Sequence, residues 1–389
     1  MNRRWLAVFF VFAVVVTAAF FARAGAGGGQ TRTYYVAADT ITWDMAPSGR
    51  NGISGQPFNA VEKMFAEPGP HYIGHTLKKA VFREYTDSTF RQLKPRPAEW
   101  QHLGILGPLL RAEVGDTIRV VFRNHTGLHV SMHPHGVFYK KDSEGAPYAD
   151  GTGTAEKGDD GVAPGGSYTY VWPVPERAGP TEHEGSTAFW MYHSHVDEIR
   201  DVNSGLLGPM VITRKGMARA DGSPKDIDRE IIATLYEFDE NYSWFVQENI
   251  ARHATRPKEV TMAIGPFGNQ SVVSNSGGLP DFGAFFRETI NGFYYGNTPG
   301  MTMQEGQKVR WYVMATTNFE IHAPHWHGNV VTINSMRTDV AALLPMGMLI
   351  ADMKPDNAGQ WLFHCHVADH LRMGMQAMYT VAPVAVAAR

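Results

Sequence analysis

The chain contains WLFHCHV at residues 361–367 and WMYHSHV at residues 190–196, the same pattern at a spacing of 171 residues. Two more pairs of segments precede them in the same order. AEVGDTIRVVF at residues 112–122 matches MQEGQKVRWYV at residues 303–313, and HPHG at residues 133–136 matches HWHG at residues 325–328. Because three blocks match in order, we expect two copies of one domain. The first copy carries an additional polar, Gly-rich insertion at residues 142–166.

The repeated segments have the alternation of apolar and polar residues that is typical of β-strands. Within residues 117–123, Ile118, Val120 and Phe122 alternate with a largely polar set, and residues 309–313 of the second copy do the same. A period of two predicts half-buried antiparallel strands, and many such strands joined by Gly- and Pro-rich turns predict a β-sandwich. The expected fold is therefore all-β, with two tandem β-sandwich domains.

Length and composition fit this organisation. The 389 residues are enough for two or three domains, and 43% of them are hydrophobic, enough for packed cores. The net charge of −3 lacks the basic surplus of nucleic-acid-binding proteins, so we expect no nucleic-acid partner. Residues 214–229 are charged and contain Gly and Pro, which indicates a linker. We place the first domain at residues 31–215 and the second at residues 228–384.

The N-terminus has the order of an export signal, which we assign to residues 1–24. Arg3 and Arg4 precede an apolar run at residues 5–21, and an A-x-A cleavage site ends at Ala24. Cleavage predicts a periplasmic or secreted protein, whereas retention of the run would leave the protein tethered to a membrane. The single cysteine excludes an intramolecular disulfide, so an exported chain must be stabilised by packing, metal or oligomerisation.

Histidines are the most informative residues of the chain. There are 17 of them, and eight form four pairs of the type H-x-H, two pairs in each repeat. The pairs are His133/His135, His193/His195, His325/His327 and His364/His366. Residues i and i+2 of a strand lie on one face about 6.6 Å apart, so each pair can serve two neighbouring metal ions. Many imidazoles favour copper over the hard cations magnesium and calcium, and zinc rarely gathers so many.

Cys365 lies between His364 and His366 and therefore points to the opposite face of their strand. His322, His370 and Met375 surround it in sequence, and a thiolate, two imidazoles and a weak thioether form a blue-copper site. The alternative interpretation of Cys365 is a small buried apolar residue. If the metal sites form, an electron that enters at the thiolate has a covalent path of about 10 Å to metals on the far face.

These motifs together resemble those of the multicopper oxidases. HPHG, HSH, HAPHWHG and HCHVADHLRMGM carry the resemblance, and LGILGPLLRAEVGDTI, HSHVDEIRDVNSGLLGPMVITRKG and INGFYYGN are similar to the ceruloplasmin-type branch. The resemblance covers most of the chain beyond the signal. It implies that both domains are cupredoxin-like Greek-key β-sandwiches and that the cofactor is copper, with four ions in each functional unit.

The resemblance also implies which residues hold each copper ion. One type 1 copper would be held by His322, Cys365, His370 and Met375. One type 2 copper would be held by His133 and His325. Two type 3 coppers would be held by His135, His193, His195, His327, His364 and His366. The other seven histidines lack this repeat-matched pairing, and we interpret them as structural or solvated.

The first domain has lost its own type 1 site. At a spacing of 171, Ser194 occupies the position of Cys365, Ile199 that of His370 and Ser204 that of Met375. The only type 1 copper is therefore expected in the second domain. Copper nitrite reductases, in contrast, hold theirs in the first domain.

The activity implied by the resemblance couples four one-electron oxidations of a donor to the reduction of dioxygen to two water molecules. Cys365, His364 and His366 would carry the electrons, and Asp116 and Asp369 are candidate sources of protons. Two alternatives stay open: an enzyme similar to copper nitrite reductase, and a non-catalytic copper-binding module of the ceruloplasmin type. The presence of all eight cluster histidines favours an oxidase.

The donor is the least constrained part of this hypothesis. Laccase-like enzymes oxidise phenols and aromatic amines, and ceruloplasmin-type enzymes oxidise ferrous iron. Asp369 matches an iron-site aspartate of the second group, but near residues 290–297 only Glu288 offers a carboxylate. Ten of the 18 methionines follow residue 300, and Met346, Met348 and Met373 suggest either a cuprous-ion site or, as we prefer, flexible core packing.

The division of cluster histidines between the two domains predicts an assembly. Four come from each domain, so the cluster must form where unlike domains meet. Contacts between unlike surfaces close into rings, and three two-domain chains would equal the six domains of a ceruloplasmin-like ring. We therefore expect a homotrimer with clusters at the subunit interfaces, with an interface closed within one chain as the alternative.

Overall fold

The computed structural model describes residues 29–264, 270–274, 285–316 and 320–384. The expected signal at residues 1–24 lies outside the described residues. Within those ranges, no helix is both long enough and apolar enough to cross a bilayer.

The first half of the chain folds into two four-stranded sheets. Its strands are β1 (Thr31–Asp44), β2 (Thr76–Tyr85), β3 (Leu110–Glu113), β4 (Thr117–Asn124), β5 (His133–Pro134), β6 (Ser167–Pro173), β7 (Thr187–His193) and β8 (Leu207–Thr213). One sheet has the order β2-β1-β4-β6 and the other β3-β8-β7-β5. An apolar core that includes Phe82, Phe122, Trp172 and Met210 lies between them.

The second half repeats this arrangement with additions. Its strands are β9 (Arg229–Asp239), β10 (Val260–Ile264), β11 (Gln270–Ser274), β12 (Phe286–Ile290), β13 (Thr302–Gln304), β14 (Val309–Ala315), β15 (Pro324–Trp326), β16 (Val331–Ile333), β17 (Met336–Thr338), β18 (Met348–Met353), β19 (Gly359–Cys365) and β20 (Gln376–Ala382). One sheet has the order β12-β9-β14-β18-β16-β17 and the other β13-β20-β19-β15, while β10 and β11 form a separate hairpin.

Four short α-helices connect the strands in the part of the chain that the structure describes. They are α1 (Ala60–Ala66), α2 (Glu198–Ser204), α3 (Val246–His253) and α4 (Ala368–Met373). The second and fourth are equivalent in the two repeats, since each follows an H-x-H strand and ends at a glycine with positive φ, Gly205 or Gly374. The predicted all-β fold of two β-sandwiches is confirmed.

The strand directions differ in part from the antiparallel prediction. Each sheet of the two sandwiches contains one parallel pair: β1 with β4, β3 with β8, β9 with β14 and β13 with β20. These partners are distant in sequence, because the chain crosses between the two layers before it returns. A connection of that length can join parallel strands, whereas a tight hairpin cannot.

Strand β14 is buried on both faces, although its alternation predicted a half-buried strand. All seven of its residues are buried, whereas β4, its counterpart in the first domain, alternates. The second face of β14 packs against the first domain, where the ring centroids of Tyr312 and Phe189 lie 5.1 Å apart. One apolar cluster continues through both domains and includes Met191, Val211 and Ile232. Alternation within one strand cannot reveal a surface that a second domain covers.

A buried polar network fixes the orientation of the two domains. The Arg111 guanidinium of β3 donates two hydrogen bonds to the Glu230 carboxylate of β9, at 3.1 and 2.8 Å. The Tyr312 hydroxyl donates to the same carboxylate at 2.8 Å and lies 3.0 Å from the hydroxyl of Thr187. Directional bonds inside an apolar contact permit few alternative orientations.

Replacing Arg111 with Met should destabilise the protein strongly. The substitution leaves the Glu230 carboxylate buried without its cation, which costs about 3–5 kcal/mol in the free energy of unfolding. Denaturant unfolding followed by fluorescence measures this loss. Lys94→Met is the matched control, because the Lys94–Glu84 pair includes a half-exposed lysine and its loss should cost less than about 1 kcal/mol. Equal losses in both variants would contradict a buried interdomain lock.

Candidate metal centres

Four histidines converge at one end of the first domain, and we call them the first half-cluster: His133, His135, His193 and His195. Strands β5 and β7 pair His133 directly with His193. The Nε2 atoms of His135 and His193 lie 3.1 Å apart, and the rings of His133 and His195 are 5.1 Å apart between centroids. Four imidazoles are thus gathered at the ends of two neighbouring strands.

Backbone carbonyls orient the rings of the first half-cluster. His133 Nδ1 lies 2.7 Å from the Glu144 carbonyl oxygen, and His193 Nδ1 lies 3.0 Å from that of Ser194. If each Nδ1 donates, as these contacts require, each Nε2 carries the lone pair that binds a metal. Burial, and then the neighbouring His133, lowers the pKa of His135 to about 4. The neutral, ligating form is therefore the stable one at neutral pH.

The insertion in the first repeat supplies one of these carbonyls. Glu144 belongs to the segment at residues 142–166, and the next residue, Gly145, donates its N–H to the buried Asp159 carboxylate at 2.7 Å. Gly145 has a φ of +72°, and an added Cβ would lie 2.4 Å from the Met132 carbonyl oxygen. Only glycine fits this close approach, which holds the insertion against the strand of His133.

The second domain contains an equivalent second half-cluster, formed by His325, His327, His364 and His366. Strands β15 and β19 pair His325 with His364. His327 Nε2 and His364 Nε2 lie 3.0 Å apart. The Nδ1 atoms of His325 and His364 contact the carbonyl oxygens of Asp339 and Cys365, both at 2.8 Å. Ring orientation is therefore the same in the two half-clusters.

Both half-clusters fit a soft or borderline transition metal. Two nitrogens that bind one ion at about 2.0 Å lie roughly 3 Å apart, which is the spacing of each Nε2 pair. Each half-cluster then retains two further imidazoles for other ions. Among the described residues, no ring contact joins a histidine of one half-cluster to a histidine of the other, and the two surface cavities they line share no residue.

A third site lies on the other face of β19. Cys365 Sγ lies 3.5 Å from His370 Nδ1 and 3.9 Å from His322 Nδ1, and Met375 is fully buried beside them. The N–H of Ala323 donates to the sulfur at 3.3 Å. The thiol and two imidazoles are buried and close enough to bind one ion. Burial raises the pKa of Cys365 to about 11, so the thiolate requires a cation to be stable here.

The equivalent position of the first domain contains a hydrogen-bond network instead. The Ser194 hydroxyl donates to the buried carboxylate of Asp201 at 2.6 Å and accepts the N–H of Ser131 at 3.0 Å. Trp244 Nε1 donates to the other oxygen of Asp201 at 2.8 Å, and the Trp244 N–H donates to Ser204 Oγ at 2.9 Å. Hydrogen-bonding hydroxyls replace the thiolate and thioether at this position.

Carboxylates surround His370, and one of them was missed by the sequence analysis. Glu320 Oε2 lies 2.5 Å from His370 Nε2, and its side chain is 59% exposed. The signal was present, since Glu320 and His322 are two residues apart and can share one face of an extended segment. Asp369, which the sequence analysis favoured, is exposed in the first turn of α4. Its role stays a prediction.

Glu288 is a buried carboxylate of this region. Its Oε2 lies 3.9 Å from His370 Nδ1, and β12 pairs it directly with Glu237 of β9. Burial, with the negative charges of Glu237 and Glu320 nearby, raises the pKa of Glu288 well above its ordinary value. Glu288 therefore favours its neutral form, whereas the exposed Glu320 lies at the surface.

Other candidate residues have structural surroundings. Asp116 accepts hydrogen bonds from Arg32 Nε at 2.6 Å and from the N–H groups of Gln30 and Glu113, both at 2.9 Å, so it fastens β1 to a turn. Met346 and Met348 pack against the interdomain apolar cluster. Met373 is half-buried in α4.

The seven remaining histidines lie outside the metal-ligand groups found among the described residues. They are His71, His75, His102, His125, His129, His183 and His253. His102 is fully buried and accepts the N–H of Ile232 at 3.1 Å. Burial, and then Arg229, lowers the pKa of His102 to about 3. His129 is exposed, whereas Val130 beside it is buried.

Comparison with known proteins identifies the family. One multicopper oxidase family model matches residues 102–216 and another matches residues 269–385. The chain belongs to the multicopper oxidases. Members of this family bind copper, and the histidine and cysteine groups described above are suitable copper ligands.

Relatives found by sequence comparison include a ferroxidase and a ceruloplasmin. The chain is 40% identical over 366 residues to Ferroxidase HEPHL1 of Homo sapiens, which covers 93% of this chain and 30% of that protein. It is 38% identical over 360 residues to Ceruloplasmin of Ovis aries, which covers 91% of this chain and 33% of that protein. The chain thus spans about a third of the length of these relatives.

Solved structures show the same fold. A multicopper oxidase crystal structure aligns over 90% of this chain and 89% of its own, with 16% identity and a TM-score of 0.53. The Blue Copper Oxidase from Nitrosomonas europaea aligns over 91% and 86%, with 17% identity and a TM-score of 0.52. The cupredoxin-like fold predicted for this multicopper oxidase is confirmed.

Replacing Cys365 with Ser should abolish the intense blue absorption while most other copper stays bound. Cys365 would supply the thiolate of one site only, because His364 and His366 of the second half-cluster lie on the other face of its strand and the first half-cluster lies in the first domain. Visible absorption and copper content per chain measure the two effects. Ser194→Ala, at the equivalent position of the first domain, should leave the protein blue. A blue Cys365→Ser protein would contradict the assignment of this site.

Proposed function

We propose that this protein couples four one-electron oxidations of a donor to the reduction of dioxygen to two water molecules. The placement of ligands on both faces of β19 carries this proposal. Cys365 Sγ faces His370, at 3.5 Å from Nδ1, while His364 Nε2 faces His327 at 3.0 Å. Copper bound at these sites supplies reversible one-electron chemistry. One strand thus connects a site for electron entry with a site that can accumulate electrons.

Specific residues define the electron path. Cys365 is bonded through the backbone to both His364 and His366, and the Cys365 carbonyl oxygen contacts His364 Nδ1 at 2.8 Å. Because this connection is short and covalent, an electron does not have to cross solvent between the two sites. The buried position of Cys365 keeps water from the sulfur. A rigid strand also changes little in geometry on gain or loss of an electron, which favours rapid transfer.

We propose ferrous iron as the donor. His370 is the ligand whose Nε2 edge is turned towards the surface, and Glu320 contacts that atom at 2.5 Å while remaining 59% exposed. A carboxylate at the surface can bind a divalent cation and connect it to the imidazole. The name of the relative HEPHL1 as a ferroxidase supports this choice over a phenol. Asp369, in the first turn of α4 beside His370, is a second carboxylate for the same ion.

Replacing Glu320 with Gln should lower kcat/KM for ferrous iron by about tenfold, since loss of one ionic contact costs roughly 1.4 kcal/mol. Oxidation of an uncharged phenol should change by less than about threefold, because a phenol does not need the carboxylate. Asp369→Asn should show a smaller difference of the same sign. Steady-state oxygen uptake with both donors measures the effect. Equal losses with both donors would indicate a role in the electronic properties of His370 rather than in iron binding.

We propose that the oxygen-reducing cluster is shared between chains of a homotrimer. The first and second half-clusters of one chain line separate cavities, and each contributes four of the eight cluster histidines. Intrachain packing joins the β7–β8 face of the first domain to the β9–β14 face of the second. A cluster therefore forms when the first half-cluster of one chain meets the second half-cluster of the next. Export to the periplasm or medium, where dioxygen is available, is part of this proposal.

Co-expression of two inactive variants tests the shared cluster. The first carries His193→Ala and His195→Ala, and the second carries Cys365→Ser, each with a different affinity tag. A mixed trimer joins an intact first domain to an intact second domain at some interfaces, so oxidase activity should reappear after purification on both tags. The separately purified variants, mixed without exchange, are the control. A monomeric mass by light scattering with no recovered activity would refute the proposal.

A further inference from the structure

The cavities of the two half-clusters are bordered in a similar way, by a loop (the rim) whose carbonyl oxygen contacts a tryptophan indole. In the first domain, the indole N–H of Trp190 donates to the Ala178 carbonyl oxygen at 2.7 Å. In the second domain, the indole N–H of Trp361 donates to the Asn357 carbonyl oxygen at 2.9 Å. Trp190 and Trp361 are repeat equivalents, so each indole holds a loop at the edge of its own cavity through the same kind of hydrogen bond. Residues 177 and 356 each directly precede the residue whose carbonyl oxygen accepts the indole N–H.

The same tryptophans fix the histidine-bearing turns. Gly136 and Gly328, which end the HPHG and HWHG motifs, have φ of +77° and +70°. An added Cβ would lie 2.2 Å from the ring of Trp190 in the first case and 2.3 Å from that of Trp361 in the second. In each domain the rim loop, the tryptophan indole and the histidine-bearing turn are thus packed against one another. This packing holds residues 177 and 356 beside the half-clusters.

The residues at positions 177 and 356 carry opposite charges. Arg177 lines the cavity of the first half-cluster, and Asp356 lines that of the second. Both residues are exposed. Asp339, also exposed, adds a second carboxylate to the second cavity. The charged residues that line the cavities are therefore cationic in the first domain and anionic in the second.

Apolar residues next to the charges also correspond. Phe138 and Val330 each follow the glycine of their motif by two residues, and their exposed fractions are 43% and 49%. The Arg177 guanidinium lies 5.5 Å from the centroid of the Phe138 ring. Stacking on an aromatic ring restricts the guanidinium and directs it along the rim. Each cavity thus has a small apolar surface and one sign of charge, as subunit contacts require.

We propose that Arg177 of one chain pairs with Asp356 of the next chain and so aligns the two half-clusters across the subunit interface. The partner is a second copy of this chain, and the inference rests on the shared cluster proposed above. Contacts between like cavities would bring Arg177 to Arg177 or Asp356 to Asp356, which is unfavourable. Only the head-to-tail contact is electrostatically complementary, and that is the contact which unites all eight histidines.

Charge reversal tests the pairing directly. Arg177→Glu and Asp356→Arg should each raise the subunit dissociation constant at least about tenfold, because each places like charges at every interface. The double variant restores an opposite pair, now reversed, and should return the dissociation constant to within about threefold of the wild-type value. Light scattering over a dilution series at low ionic strength measures all three proteins. Arg91→Glu, a charge reversal at an exposed arginine elsewhere in the first domain, is the matched control.

The outcomes separate this inference from the proposal it rests on. A monomeric wild-type protein would refute the shared cluster itself. A wild-type trimer whose two single variants associate as tightly as Arg91→Glu would overturn only the pairing. Weakened single variants without rescue in the double variant would also overturn it, since the two positions would then act independently. Far-ultraviolet circular dichroism of every variant shows that lost association does not result from unfolding.

Discussion

The alternation of side chains along one β-strand is the constraint on which this protein depends. Successive residues of β19 point to opposite faces, so Cys365 faces His370 and Met375 while His364 and His366 face the cluster side. The strand cannot slip by one residue without exchanging the two ligand sets. Its pairing with β15 and β20 therefore determines the metal sites as well as the fold. Function and topology are specified by the same hydrogen bonds.

The repeat determines how much of this could be predicted from sequence. Local patterns reported the strands, the two-domain order and the grouping of the H-x-H pairs, because each depends on residues close together in the chain. The burial of Tyr312 and the buried pair of Arg111 and Glu230 could not be predicted in the same way. They depend on which sheet of one domain packs on which sheet of the other. The pattern of residues within a single strand does not indicate which sheets pack together. Local sequence patterns therefore could not predict these contacts, because they contain no information on long-range packing.

The same distinction applies around the metal centres. Ligand positions follow from spacing, whereas the groups that orient the ligands come from distant segments. The Glu144 carbonyl reaches His133 because of the insertion and Gly145, and Glu320 reaches His370 from a segment 50 residues away. Every residue has a backbone carbonyl, so the residue types do not indicate which carbonyl contacts a ligand. Outer contacts of a metal site are therefore visible only in three dimensions.

The Ser194–Asp201 pair shows how the interiors of the two repeated domains differ. The buried Asp201 carboxylate accepts hydrogen bonds from the Ser194 hydroxyl and the Trp244 indole, and a cysteine at position 194 would replace the stronger of these side-chain donors with a weak one. A metal site of the Cys365 type in the first domain would thus require several substitutions, at least at positions 194, 199 and 204, rather than one. If the second domain alone holds a type 1 copper, electrons would enter each unit only through Cys365 and would travel in one direction, towards His364 and His366.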